Sequence, residues 1–141
     1  MDNWFEYESA IIARLKAAVP QLRNVVGLGQ PGDVAENAQW TPAAAVLSDG
    51  MNVQESPGAR SGSRQIVEQR WLAVVVVKIH GEATAARARA EAGGLIMKVI
   101  AALSGFAPDG VHELALAPAP PEQYDGDLIM FPVAFSARIS I

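Results

Sequence analysis

Residues 65–80 constrain the fold of this chain more than any other segment. The first half of the segment alternates apolar and polar residues, and from Trp71 to Val77 every residue is apolar. A strand with one solvated face keeps alternating, so residues 71–77 must be covered on both faces. The whole segment, at about 3.3 Å per residue, would span ~50 Å, far longer than an ordinary strand. We therefore predict a long central strand whose first half projects, as part of a hairpin arm around residues 51–70.

Two segments have the spacing of amphipathic helices. Residues 4–19 form an apolar stripe that ends at Pro20, and Asn3 with Glu6 predicts a capping box. Residues 82–103 form a second helix, with Gly105 expected just past its end. Its middle holds Gly93 and Gly94, each costing about 1 kcal/mol relative to Ala. We expect a close approach of this helix to the sheet as compensation. The predicted small-residue face comprises Ala86, Ala90, Gly93, Gly94, Met97 and Ala101.

The other segments predict shorter strands and turns. We expect a short strand at 25–28, a strand at 43–47 closed by a turn at 48–50, and pairing of 51–55 with the long strand. A strand at 111–117 with an outward His112, a rigid loop at 118–127 and a last strand at 128–141 complete the order. The predicted fold class is α+β: a single domain over residues 1–141, with one mixed, mostly antiparallel sheet and two main helices packed on one face.

Composition excludes several classes of protein. Half the residues are apolar and 18% are charged, which is typical of a globular domain. The chain has no cysteine, which excludes disulfides and thiolate chemistry, and its net charge of −4 argues against a generally basic nucleic-acid binder. The acidic N-terminus has no basic region typical of a signal peptide, and residues 71–77 are too few to span a bilayer.

No motif predicts catalysis, a metal or a cofactor. Gly27, Gly29 and Gly32 spell G-x-G-x-x-G, but Pro31 interrupts the turn and no series of alternating strands and helices follows. His80 and His112 have no metal-ligand spacing, and residues 125–127 fit a turn better than a calcium loop. No G-x-S-x-G elbow occurs. We expect no enzyme, no cofactor and no metal.

The charges are distributed unevenly along the chain. Residues 60–104 carry a net charge of +4, whereas residues 105–141 carry −4. Opposite poles suit head-to-tail association of identical subunits. The expected interface residues are Arg60, Arg64, Arg70, Arg87, Arg89, Glu122, Asp125 and Asp127. Two helices can cover one face of the sheet, so we also expect a neighbouring subunit to cover the other face of residues 71–77.

The layout resembles the tail terminator, or tail completion, proteins of tailed bacteriophages, the group that includes the small minor tail proteins of Mu-like and lambda-like phages. The resemblance rests on an amphipathic first helix, a Pro-led small strand, a long apolar strand, a helix with a central Gly pair and an aromatic last strand. The corresponding segments read WFEYESAIIARLKAAVP, TPAAAVLSDG, QRWLAVVVVKIHG, AEAGGLIMKVIAALSGFAPDG and EQYDGDLIMFPVAFSARISI. None of these segments is a catalytic signature.

The resemblance implies a structural virion protein. It implies a homo-oligomeric ring, usually of six subunits, that caps the tail tube, stops its polymerisation and joins the tail to the head connector. The implied partners are the tube protein, the sheath protein in a contractile tail and the connector; genomic DNA would pass through the lumen without tight binding. The implied location is the phage tail or neck, assembled in the host cytoplasm, without a membrane. A neck or connector protein, and a small nucleotide-binding α+β domain, are the alternatives.

Overall fold

The computed structural model describes residues 3–27, 41–54, 65–79 and 85–140. Along the chain, α1 (Glu6–Ala18) is followed by β1 (Asn24–Gly27), β2 (Ala43–Gln54) and β3 (Ile66–Lys78). Helix α2 (Ala85–Leu103), β4 (Ala115–Ala117), β5 (Gln123–Asp125) and β6 (Leu128–Ser140) complete the order. The six strands form one sheet in the order β1-β2-β3-β6-β4, with β5 also paired to β6. Only β1 and β2 run parallel, so the predicted mixed, mostly antiparallel sheet is confirmed.

Strand β3 is the centre of the sheet. It pairs with β6 from Ile66, opposite Ser140, to Lys78, opposite Leu128, and with β2 along nearly the same length. The predicted double burial is confirmed over 73–77, where all five residues are buried; Trp71 is buried as well, and Leu72 is half-buried. Fully burying one such Val contributes about 1.5 kcal/mol.

Both helices pack on one face of the sheet. The core there includes Ile11 and Leu15 of α1, Leu95 and Val99 of α2, and one alternating row from each long strand. Trp71 of β3 and Phe135 of β6 lie opposite each other in register, each 1% exposed. The two helices on one face are therefore as the sequence predicts.

The other face of the sheet is also buried within the single chain. Its cluster consists of Ala45, Leu47, Val74, Val76 and Leu128, all at most 6% exposed. Pro120 and Gln123, from the segment before β6, line a small apolar pocket over this face together with Leu72 and Met130. The expectation that a neighbouring subunit must cover this face is therefore wrong for Val74 and Val76, which the chain itself buries, whereas Leu72 is half-buried.

Helix α1 begins without the predicted capping box. Asn3 Oδ1 accepts a hydrogen bond from the backbone N–H of Phe5 at 2.9 Å, and no side chain caps the first turn. The Asn side chain satisfies a donor two residues on, which forms a local turn in place of a cap. Glu6 and Glu8 in the first turn and Lys16 in the last still match the helix dipole.

The glycine pair of α2 does not face the sheet. Gly93 and Gly94 are exposed, and a Cβ added to either would meet nothing within 4 Å. The buried face of α2 consists of Ala88, Ala92, Leu95, Val99, Ala102 and Leu103. The prediction of a close helix–sheet approach at the glycines is wrong: the small-residue face is the outer face, and the buried face lies on the opposite side of the helix, about half a turn away.

Two further predicted boundaries are corrected. The expected turn at 48–50 is a bulge inside β2, where Asp49 and Gly50 stand opposite the single residue Arg70, and Gly50 has a φ of +78°. The expected strand at 111–117 reduces to Ala115–Ala117. Residues 51–54 do pair with the long strand, as predicted. β6 remains paired with β3 as far as Ile66. The projecting arm stays a prediction, because its tip at 56–64 lies outside the described residues.

Replacing Gly93 or Gly94 with Ala should raise the free energy of unfolding by about 1 kcal/mol each, because the space is open and Ala is the better helix former. Thermal or urea denaturation measures the gain. Gly105, just past the end of α2 with a φ of +81°, provides the matched control: Gly105→Ala should destabilise the protein. A loss of stability in the two helix variants would contradict the assignment of the glycines to an open face.

Candidate assembly surfaces

Arg70 is held inside its own chain. It lies in β3 opposite the β2 bulge, where its Nε is 3.4 Å from Asp49 Oδ2, and an Nη donates to the carbonyl oxygen of Pro118 at 3.1 Å. One guanidinium thus joins the bulge to the segment before β5. The sequence could not reveal this contact, since Asp49 and Pro118 come together only through the strand pairing.

Arg89 of α2 forms a second internal cluster, with residues near β5. Its Nη1 donates to both carboxylate oxygens of Glu122 at 3.0 Å and to the hydroxyl oxygen of Tyr124 at 2.6 Å. The guanidinium also lies 5.8 Å from the ring centre of Phe131. The hydrogen bond and charge of Glu122 raise the pKa of Arg89 above its ordinary value. Arg89 and Glu122, predicted to belong to opposite poles, therefore meet within one chain.

The remaining predicted interface residues fall into three groups. Asp127 pairs with Lys78 at 3.5 Å within the chain, at the surface where β3 and β6 end together. Arg87 and Asp125 are exposed and have no ion-pair partner among the residues that the structure describes. Arg60 and Arg64 lie outside those residues. The assignment of these eight side chains to a subunit interface stays a prediction, of which Arg87 and Asp125 are the exposed, unpaired part.

A polar cluster that the sequence analysis missed joins α1 to the turn after α2. The Tyr7 hydroxyl donates to Asp109 Oδ2 at 2.7 Å, and His112 Nδ1 lies 2.6 Å from the same oxygen. Asp109 Oδ1 accepts from the backbone N–H groups of Val111 and His112. An ionised carboxylate only accepts hydrogen bonds, so His112 Nδ1 carries the proton. The predicted outward His112 on a strand is thus wrong: it lies in a turn, bonded to Asp109 three residues earlier.

The environment of this cluster shifts two pKa values in opposite directions. Burial raises the pKa of Tyr7, and the hydrogen bond to and charge of Asp109 raise it further. Burial also opposes ionisation of Asp109, but hydrogen bonds from the His112 backbone and ring, Tyr7 and the Val111 backbone bring its pKa well below the ordinary range. Through these hydrogen bonds Asp109 joins Tyr7 of α1 to the turn that holds His112.

Among the described residues, no group of three or more His, Asp or Glu side chains could hold a metal ion. No helix in the described part of the chain is long and apolar enough to cross a membrane. Gly27, the first glycine of the G-x-G-x-x-G string, ends β1 against the Glu8 carboxylate and the side chain of Ile12, where a Cβ would collide. Close packing therefore explains this glycine, and a carboxylate beside it disfavours a phosphate. Gly29 and Gly32 lie outside the described residues.

Large apolar side chains remain exposed at several places on the surface. The most exposed ones are Phe5, Met51, Val53, Ile66, Met97, Val111, Leu116 and Tyr124. Met51, Val53 and Ile66 belong to the extended end of β2 and β3, and Leu116 lies in β4, at an edge of the sheet. Large apolar side chains exposed near the edges of a sheet are a feature of assembly proteins, in which other chains cover such surfaces.

Comparison with known proteins agrees with this class. The family model described as phage tail terminator protein matches residues 1–141, and the chain belongs to that family. It is therefore a structural protein of the phage virion, a component of the tail. Among solved structures, a chain from the virion of a native gene transfer agent particle is similar, with a TM-score of 0.56 and 19% identity. The match covers 95% of this chain and 94% of that chain and shows a shared fold. No curated protein matches the chain.

Asp109→Ala should lower the free energy of unfolding by about 2–4 kcal/mol, because it leaves the Tyr7 hydroxyl and two backbone donors without their acceptor. Asp109→Asn should cost less, since the amide retains one acceptor oxygen. Urea denaturation measures both variants, and the exposed Asp125→Ala is the matched control with little expected change.

The same cluster predicts a pH dependence with a definite sign. The pKa of Asp109 is lower in the folded than in the unfolded state, so the unfolded state binds more protons as pH falls. The stabilisation by Asp109 is therefore complete above a pH of about 4, which is the ordinary pKa of an Asp side chain, and it is lost as the pH falls below that value. Denaturation between pH 7 and pH 2 should show a shallower acid decline in Asp109→Asn. An unchanged acid decline would contradict the role of this carboxylate.

Proposed function

We propose that this protein forms a ring, of about six copies, that caps the finished tail tube, stops its polymerisation and joins the tail to the head connector. The observation that carries the proposal is the match of the tail terminator family to residues 1–141. The exposed apolar side chains of the chain support an assembly role. The proposed partners are other copies of the chain, the tube protein, the connector and, in a contractile tail, the sheath protein. Assembly of the ring would take place in the bacterial host cytoplasm.

The genome would pass through the lumen of this ring. A net charge of −4 suits such a passage, because affinity for phosphates grows with the number of basic contacts. In the described part of the chain, Arg70 and Arg89 are already engaged with carboxylates, which reduces the basic groups available to DNA. We therefore expect transit of the DNA without tight binding.

A neck or connector protein is the second candidate, since it would share the same location and a ring form. A nucleotide-binding domain is disfavoured by the position of Glu8 against Gly27. The two assembly roles differ in what happens to the tube when the protein is missing. A terminator controls tube length, whereas a connector does not.

Deleting the gene from the phage that carries it should give overlong tubes without heads, because nothing blocks the growing end of the tube. Electron microscopy of lysates measures the tube lengths, and expression of the wild-type protein in trans is the control that should restore normal particles. Tubes of normal length that fail to join heads would favour the connector role. Normal infectious particles would contradict both roles.

Arg87 is an exposed basic residue of α2 that has no ion-pair partner among the described residues, so reversing its charge tests a charged subunit contact directly. Arg87→Glu should weaken oligomers of the purified protein, most strongly at low salt, where charges are screened least. Native mass spectrometry measures the species, for which the ring is expected near six times 14.9 kDa. Lys98→Glu, an equal charge reversal elsewhere on α2, is the control. Equal assembly of wild type and Arg87→Glu would show that Arg87 does not contribute to the subunit contact.

A further inference from the structure

β2 is longer than the strand on its outer side. β1 pairs with β2 over 43–46, and the outer side of 47–54 has no strand partner among the residues that the structure describes. On its inner side, β2 stays paired with β3 as far as Gln54, apart from the bulge at 49–50. Burial changes at nearly the same point, since 43–47 are buried and 48–53 are exposed. The part of β2 beyond the bulge is therefore an open sheet edge in the described structure.

This edge lacks most of the devices that prevent pairing with another chain. Natural edge strands are protected by charges, prolines, inward-pointing charged groups or bulges. The bulge at 49–50 protects only the start of the edge, and residues 51–54 read Met-Asn-Val-Gln, without a charge or a proline. The regular stretch after the bulge can thus form backbone hydrogen bonds with an added strand.

The apolar row on the helix-bearing face extends one strand further than its cover. Met51 pairs with Gln69 of β3, and Val53 pairs with Val67, so all four side chains lie on that face. Gln69 and Val67 are 0% and 2% exposed, and Gln69 Nε2 donates to the carbonyl oxygen of Trp4 at 2.9 Å. Met51 and Val53, one strand further out, are 58% and 55% exposed. The segment that leads into α1 therefore reaches β3 at the level of Met51 without covering β2.

The charges of this edge are acidic. Residues 24–59, which contain both β1 and β2, have no Lys or Arg, and their acidic residues are Asp33, Glu36, Asp49 and Glu55. The carboxylate of Asp49 is 37% exposed, although it lies 3.4 Å from Arg70. Glu68 of β3 lies in register with Asn52, on the face opposite the helices. A cation on a neighbouring strand would therefore find two carboxylates on that face.

We propose that the outer edge of 51–54 receives an extended segment of a partner protein as an added strand. Side chains alternate between the two faces along a strand. The apolar residues of the partner segment pack beside Met51 and Val53, and the residues between them are Lys or Arg on the face of Asp49 and Glu68. This contact is separate from the subunit contacts of the proposed ring and does not require a ring.

The charges favour another protein over a second copy as the occupant. β4 and β5, the outer strands on the other side of the sheet, contain no Lys or Arg. A symmetric pairing of two β2 edges would place two acidic strands side by side, which is unfavourable. A basic segment from a different chain avoids this repulsion.

The probe for this contact is the synthetic peptide acetyl-Lys-Val-Lys-Val-Lys-Val-amide, added to the full chain with isotope-labelled methionine methyl groups. Saturable binding should shift the Met51 methyl resonance and leave that of Met97, which is exposed on α2, unchanged. Acetyl-Glu-Val-Glu-Val-Glu-Val-amide should bind at least about tenfold more weakly, most clearly at low salt. Absence of saturable binding, or equal binding of the two peptides, would overturn the proposal.

Two proline variants test whether the contact is an added strand. Consecutive strand residues direct their N–H and C=O groups to opposite edges, so one of Asn52 and Val53 faces outward and the other faces β3. Of Asn52→Pro and Val53→Pro, the outward one should keep its melting temperature, and the other should lower it. The variant that keeps its melting temperature should bind the Lys–Val peptide at least about tenfold more weakly, because proline has no N–H to donate. Wild-type affinity in that variant would overturn strand addition.

A side-chain variant tests the apolar face of the same edge. Met51→Lys changes a side chain that is 58% exposed, so the melting temperature should stay unchanged. Its affinity for the Lys–Val peptide, measured by fluorescence anisotropy of the labelled peptide, should fall about tenfold, because a like charge replaces an apolar contact. Met97→Lys, at 67% exposure on α2, is the matched control and should bind like wild type. Equal binding by Met51→Lys and Met97→Lys would contradict the proposed position of the apolar residues.

The same variants distinguish a second copy from a different partner. Wild-type protein that does not bind the peptide, together with oligomers that the outward proline variant abolishes, would identify a second copy as the occupant. The proposal would then be wrong. A protein that stays monomeric but binds the peptide at this edge would support the strand addition and contradict the proposed ring.

Discussion

The pairing of β3 on both sides is the constraint on which the rest of this structure depends. β3 is hydrogen-bonded to β2 and β6 along nearly all of its length, and from Ala73 to Val77 both of its faces are buried. A strand in this position needs cover above and below. α1 and α2 provide one cover, and the segment that holds Pro120 and Gln123 lies over the other side. The requirement to bury both faces of β3 therefore accounts for the positions of both helices and of the β5 segment.

The sequence predicted those features that depend on local periodicity. The unbroken apolar run at 71–77 identified the central strand, and the alternation in 128–141 identified its partner. The features it missed depend on contacts between distant segments. A Ser-Asp-Gly string is typical of a turn, but here the pairing of β2 with β3 continues past it, and the string becomes a bulge. Tyr7 and Asp109 are 102 residues apart, so no local pattern could indicate their hydrogen bond.

The charges illustrate the same distinction in the candidate site. The sequence shows a basic middle and an acidic last part, but it does not show which of these charged side chains pair with each other. Arg89 and Glu122 are brought together when α2 packs beside β6, and Lys78 and Asp127 meet because β3 and β6 end at the same level. Much of the charge asymmetry thus helps to join α2 and β5 to the sheet. The glycine pair differs again: the sequence located it correctly on a small-residue face, and only the packing revealed that this face points outward.

The order of strands in the sheet has a consequence for the rate of folding. Lys78 pairs with Leu128 and Ile66 with Ser140, so the central contacts join residues 50 to 74 positions apart. Contacts of such long sequence separation form slowly, because the intervening chain must be ordered before they contribute. Until β6 arrives, the β2–β3 pair has its most apolar strand at an open edge, a form that is prone to aggregation. Pairing of β6 with β3 removes this open edge. Before that step the chain can associate nonspecifically, and after it association is limited to the surfaces of the folded protein.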